Sequence, residues 1–193
     1  MTKIIFLSSV LFLMMGASQS SVADNKAPAY PSDSIFWLDS TWTRFDGKEM
    51  KLSDLKNTPI VLSMVFLGCK YTCPLTVNDM REMEQKISKG TKASFKMVLI
   101  SIDPERDTPE AMRKFMTERK LNPERWILLS STPENIRELA ATLGYSYKKD
   151  KAMDFAHSML TWVFDTDGVK RFTRSARKES IDETVAAFKK ISG

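Results

Sequence analysis

The chain has 193 residues, 42% hydrophobic and 27% charged, with two cysteines and one histidine. That composition is ordinary for a globular protein with a core of its own and excludes a disulfide-stapled scaffold. The formal net charge is +5 at pH 7, but the basic residues are dispersed, without aromatic interleaving or a recognised motif. Nucleic-acid binding is therefore not expected.

Residues 1–23 read as a signal peptide. Lys3 supplies a positive n-region, residues 4–15 a short apolar stretch, and Ser21-Val22-Ala23 the small residues of a cleavage site. That stretch is shorter than the roughly 20 residues that span a bilayer, so a cleaved signal and a periplasmic location are expected; a retained anchor is the alternative. Residues 24–34, with Pro28 and Pro31, are expected to form a flexible lead-in, and residues 35–193 one domain. After removal of Lys3 with the signal, the chain carries 28 basic and 24 acidic residues. Its length suffices for a core without staples.

Residues 36–42 read as a strand and Asp46-Gly47 as a turn, together an N-terminal hairpin. Residues 60–66 are almost wholly apolar, as in a central strand covered on both faces. Cys73-Pro74 opens a helix, proline being tolerated at the first helical position, with Leu75, Met80, Met83 and Ile87 at roughly helical spacing. A second apolar strand spans residues 95–102. Thr108-Pro109-Glu110 starts a helix whose Ala111, Met112, Phe115 and Met116 face inward. Residues 126–129 form a third strand, and Thr132-Pro133-Glu134 starts a helix that Gly144 ends. Residues 160–164 and 169–172 flank Asp165-Thr166-Asp167-Gly168, a hairpin signal. Ser180-Ile181-Asp182-Glu183 is a capping box for a last helix with Ile181, Val185, Phe188 and Ile191 as its apolar stripe. The alternation predicts an α/β fold of thioredoxin-like layout: a mixed central sheet flanked by helices, with an N-terminal hairpin extension.

The chemistry concentrates in Cys69-Lys70-Tyr71-Thr72-Cys73, between the central strand and the first helix. A self-sufficient core does not need these cysteines, so the pair is free to close a disulfide, exchange disulfides or hold a soft ion. Three intervening residues allow the roughly 4.4–6.8 Å Cα separation of a disulfide. The helix start at Cys73 and the cation of Lys70 both stabilise thiolate. Two thiolates and the imidazole of His157 leave zinc's tetrahedral demand unmet, whereas Cu(I) accepts two or three soft ligands. The donor set thus points to copper more than to zinc. Each signal taken alone is modest: a plain disulfide is the commoner outcome for such a pair, and a structural role for a lone histidine. Met64, Met80, Met83, Met97, Met112 and Met116 are assigned to core packing. Met153 and Met159, which flank His157, are the candidate sulfur ligands.

Three blocks carry a family likeness. They are Cys69-Lys70-Tyr71-Thr72-Cys73-Pro74 after an apolar strand, Ser101-Ile102-Asp103-Pro104-Glu105-Arg106-Asp107-Thr108-Pro109, and His157-Ser158-Met159 leading through Trp162-Val163-Phe164 to Asp165-Thr166-Asp167-Gly168. Together, and in this order, they resemble the Sco/SenC family of thioredoxin-like copper chaperones over about residues 35–190. The resemblance implies Cys69 and Cys73 as thiolate ligands, His157 as imidazole ligand, and copper as Cu(I) or Cu(II). It also implies a client copper protein: such proteins deliver copper to the binuclear copper centre of cytochrome c oxidase or reduce that centre's cysteines. Asp103 and Asp107 would sit on the neighbouring strand-end loop, with turn hydrogen bonding and capping of the Thr108 helix expected rather than metal contact. Lys70 stands where the family usually has proline, and residues 66–68 differ from its usual aromatic-threonine lead-in. A cation there favours the alternative, a thiol–disulfide reductase that uses Cys69 and Cys73 on a partner protein without metal. A thiol peroxidase fits the fold but not the paired spacing.

Overall fold

The apolar run expected at the centre of the sheet forms a strand buried at all six positions, β3 (Ile60–Val65). Before it come β1 (Thr41–Arg44) and β2 (Glu49–Lys51); after it come α1 (Thr72–Gly90), β4 (Lys96–Ser101), α2 (Pro109–Glu118), β5 (Trp126–Ser130) and α3 (Pro133–Leu143). The chain closes with β6 (Tyr147–Lys149), β7 (Phe155–His157), β8 (Leu160–Phe164), β9 (Lys170–Ser175) and α4 (Ile181–Ile191). This computed structural model describes residues 30–68, 72–149, 155–157, 159–176 and 178–192, with main chain only at 72–74, 149 and 155–157.

Seven strands form one mixed sheet in the order β2-β1-β5-β4-β3-β8-β9, and β6 pairs with β7 separately. The middle, β5-β4-β3, is parallel; β1 and β8 join it antiparallel. This is the thioredoxin-like, hairpin-extended α/β layout that the element pattern predicts. Both β3→α1→β4 and β4→α2→β5 step the same way along the sheet, so right-handed crossovers put α1 and α2 on one face. A hydrogen bond from the Arg81 guanidinium to the carbonyl of Arg119, just past α2, ties them together. Helix α4 packs beside α1, with Phe95 edge-on to Phe188 at 5.2 Å.

Local signals explain the helix boundaries. The Thr108 and Thr132 hydroxyls accept from the N–H groups of Ala111 and Asn135, and a proline follows each cap. Gly144 ends α3 at φ 69°, a left-handed conformation that glycine adopts without a Cβ clash. Ser180 and Glu183 form the expected capping box of α4. Met64, Met80, Met83, Met97, Met112 and Met116 are all buried in the core, as assigned.

Four expectations need correction. Residues 36–42 are not one strand: the Ser34 hydroxyl accepts from Phe36 N at 3.1 Å and caps a 3-10 turn, Ile35–Trp37, so the strand begins only at Thr41. Residues 30–34 of the expected lead-in are packed: the Tyr30 ring meets Phe36 and Trp37 edge-on, and Ser34 bridges to Val169. Helix α1 starts at Thr72, making Pro74 its third residue, still in the first turn where N–H groups have no intrahelical acceptor. Leu75 is 56% exposed, and Val77 joins Met80, Met83 and Ile87 on the buried face. A step of five residues from Leu75 to Met80 is out of phase with a 3.6-residue repeat.

Candidate thiol and metal site

In open α/β sheets, ligands gather beyond the carboxyl ends of the parallel strands. Here β3, β4 and β5 end side by side at Val65, Ser101 and Ser130. The segment that carries both cysteines leaves β3 at this edge. Cys69, Lys70 and Tyr71 lie outside the described residues; the main chain of Cys73 is the second residue of α1. A 19-residue helix presents unpaired N–H groups and the positive end of its dipole at this point.

His157 ends β7, where it pairs with Tyr147 of β6. Leu160 opens β8 three residues later, and β8 runs antiparallel to β3 with Ser63 opposite Thr161. The strand entering from the histidine hairpin and the strand leading out to the cysteines therefore share one sheet edge. Two side chains fasten this junction. The buried Ser63 hydroxyl donates to the Leu160 carbonyl at 2.7 Å, and the Tyr145 hydroxyl donates to the Met64 carbonyl at 3.3 Å. The Cys73 and His157 side chains, and all of Met153, fall outside the described residues. Met159 is half-buried just before β8, its carbonyl accepting from Ala176 N.

The β4–α2 loop lies beside the cysteine segment. The parallel ladder of β3 and β4 runs out at Val65–Ser101, with one further bond from Ile102 N to Val65 O at 2.9 Å. Beyond it the acceptors are side chains. Asp107 Oδ2 accepts from Leu67 N at 3.1 Å and from the Ser101 hydroxyl at 2.6 Å; Ser101 Oγ in turn accepts from Asp103 N. Asp107 is 3% exposed. Burial pushes its carboxyl up to about 6, with the two hydrogen bonds pulling the other way. Asp103, also buried, pairs with the Arg106 guanidinium, and its carbonyl accepts from Arg106 N and Asp107 N, a local turn. Among the described residues, no group of three or more His, Cys, Asp or Glu side chains could hold a metal. A cavity of about 620 Å³ opens beside this loop, lined by Asp107, Thr108, Met112, Ser131, Thr132 and Asn135 among others.

The SCO1/SenC family profile matches residues 38–192. The chain belongs to that family. The SCO1 protein homolog of Bacillus subtilis (strain 168) is 28% identical over 101 residues, 52% of this chain and 52% of the relative. The chain spans about half the length of the curated relatives it matches. The crystal structure of Arabidopsis thaliana ScoI with copper bound is similar at TM-score 0.70 and 22% identity, over 78% of this chain and 96% of that one. BsSco is similar at TM-score 0.69 and 23% identity, over 79% and 90%. It is described as a member of the Sco family of cytochrome c oxidase assembly proteins with a disulfide switch. These likenesses confirm the thioredoxin-like fold.

In this SCO1/SenC chain, of the turn bonding and helix capping expected for Asp103 and Asp107, the turn forms at Asp103, and neither carboxylate caps α2. Thr108 caps α2, while Asp107 reaches across to the main chain that leads to Cys69. That contact spans 40 residues of sequence. The only signal for it is two aspartates in one short loop, where a single turn and one cap need fewer.

Proposed function

We propose that the protein is an exported copper metallochaperone. Cys69, Cys73 and His157 bind copper, Cu(I) in preference to Cu(II), and the protein passes it to the copper subunit of a respiratory enzyme such as cytochrome c oxidase. One observation carries this reading: in a SCO1/SenC chain, β3, the strand that leads out to the cysteines, lies beside β8, the strand that begins three residues after the sole histidine. Thiolates suit Cu(I), and a two- or three-ligand site leaves room for a client's ligand to bond before the last donor lets go. The description of Arabidopsis ScoI with copper bound supports the choice of metal, and that of BsSco supports the client. The signal-like residues 1–23 support a periplasmic location. The test is transfer: Cu(I)-loaded protein is mixed with the metal-free copper domain of an oxidase, and both are assayed for copper after separation. Copper moving to the domain faster than from a small-molecule Cu(I) complex of equal affinity is expected; an equal rate contradicts a chaperone role.

A second reading rests on the place of Cys73 in the first turn of α1, where thiolate is stabilised. A thiol–disulfide reductase would use one thiolate to attack a client disulfide, forming a mixed disulfide and releasing one client thiolate. The other cysteine then attacks the mixed disulfide, leaving a Cys69–Cys73 disulfide and a client dithiol. The disulfide switch described for BsSco is in keeping with such chemistry. A mixed disulfide trapped by a single Cys→Ser variant is its signature, and failure to trap one contradicts it.

A further inference from the structure

The exit of the chain from β3 is held by a buried side chain of the neighbouring β4–α2 loop. At Leu67, two residues before Cys69, the β3–β4 ladder has already ended. The N–H of Leu67 would face a partly buried space without an acceptor, and a buried donor left unsatisfied is destabilising. Asp107 supplies the acceptor at 3.1 Å. The same oxygen takes the Ser101 hydroxyl at 2.6 Å, and Ser101 Oγ takes Asp103 N at 3.1 Å. The cysteine segment, the end of β4 and the start of α2 are thereby joined through one buried carboxylate.

Burying a carboxylate here is costly. The two bonds it accepts tie the main chain before Cys69 to the end of β4, and this points to a constraint on the loop. We infer that Asp107 is a positioning residue for the Cys69–Cys73 pair: by gripping Leu67 N it sets the direction in which the chain leaves β3, and so the separation of the two thiols. The inference rests on the reading of Cys69 and Cys73 as a working pair, whichever of metal binding or thiol exchange they perform. Released from Asp107, the segment samples more directions, so the thiols meet less often. Closure to a disulfide then becomes less favourable, and so does clasping one ion.

The test uses the full domain with Asp107→Ala, Asp107→Asn and, as a stability control, Leu52→Ala. Leu52 is a buried core residue of the 3-10 turn Leu52–Leu55, which precedes β3. Two quantities are measured for each: the equilibrium constant for exchange of the Cys69–Cys73 disulfide with dithiothreitol, and Cu(I) affinity by chelator competition. Asp107→Ala is expected to shift the exchange about tenfold toward the protein dithiol and to weaken Cu(I) about tenfold. Asp107→Asn keeps an acceptor oxygen and is expected within threefold of wild type on both, and Leu52→Ala unchanged on both. Where the alanine variant does not fold, Asp107→Ser, too short to reach Leu67 N, gives the same comparison. An exchange constant within threefold of wild type for the alanine or serine variant overturns the inference, as does an equal shift in Leu52→Ala. Wild type that binds no Cu(I) would sink the copper reading alone, since the exchange constant still reports on Asp107.

Discussion

Ser63, buried in the middle of β3, donates its hydroxyl to the main-chain carbonyl of Leu160 at 2.7 Å. This single polar side chain in an otherwise apolar strand links the strand that leads to the cysteines with the strand that arrives from His157. Its removal leaves a partly buried carbonyl short of a donor. Ser63→Ala is expected to lower unfolding free energy by about 1 kcal/mol without changing the denaturant m-value. An unchanged midpoint in urea would show that the bond contributes nothing.

Asp107 makes stability depend on pH in an unusual sense. An exposed aspartate titrates near 3.8, and burial raises this one to about 6. Between those values the folded protein holds a proton that the unfolded chain has released, so stability falls as pH rises through this window. The contribution is present below pH 3.8, is lost on passing pH 6, and amounts to at most about 3 kcal/mol. The difference between wild-type and Asp107→Asn unfolding free energies, followed from pH 3.5 to 7 (roughly, the window above), should show this slope. A flat difference curve would mean that the carboxyl titrates normally.

Arg174 on β9 lies against Asp79 on α1, its Nη1 3.0 Å from Oδ2, with the guanidinium side chain 9% and the carboxylate 30% exposed. Its Nε has no hydrogen-bond partner among the described residues. Asp79→Ala strands a buried cation and is expected to cost about 2 kcal/mol, below the 3–5 of fully enclosed pairs because Asp79 retains solvent contact. Chemical denaturation with a double-mutant cycle measures the coupling; a loss under 0.5 kcal/mol, about the scale of surface substitutions, would place the pair among surface contacts.

Two apolar residues of one helix should respond oppositely to truncation. Met80 is fully buried and Leu75 is 56% exposed. Met80→Ala is expected to cost about 2–5 kcal/mol, and Leu75→Ala to stay within about 0.5 kcal/mol. Comparable losses at both positions would contradict the orientation of α1.

Most of the fold was legible because its signals are local. Thr-Pro-Glu at two helix starts, glycine after α3 and the Ser180–Glu183 box each set a boundary through main-chain bonds a few residues away. What escaped depends on distant partners. Residues 36–42 resemble a strand until Ser34, itself anchored to Val169 and Asp167, turns the chain. The β6–β7 hairpin is two three-residue strands, too short for a periodic pattern. At the site, the donor types and their order were readable, and the start of α1, at Thr72, lies one residue before the expected Cys73. The grip of Asp107 on Leu67 was not, since nothing in a strand-end loop announces which main-chain N–H an aspartate will find across the sheet.

Cu(I) affinity by competition with a chromophoric chelator, on reduced wild type, Cys69→Ser, Cys73→Ser and His157→Ala, tests the central claim most directly. Loss of one of three ligands is expected to weaken binding by at least about tenfold, some 1.4 kcal/mol. All four proteins should share the same far-ultraviolet circular dichroism. Equal affinity across the four would contradict a copper site built from these residues.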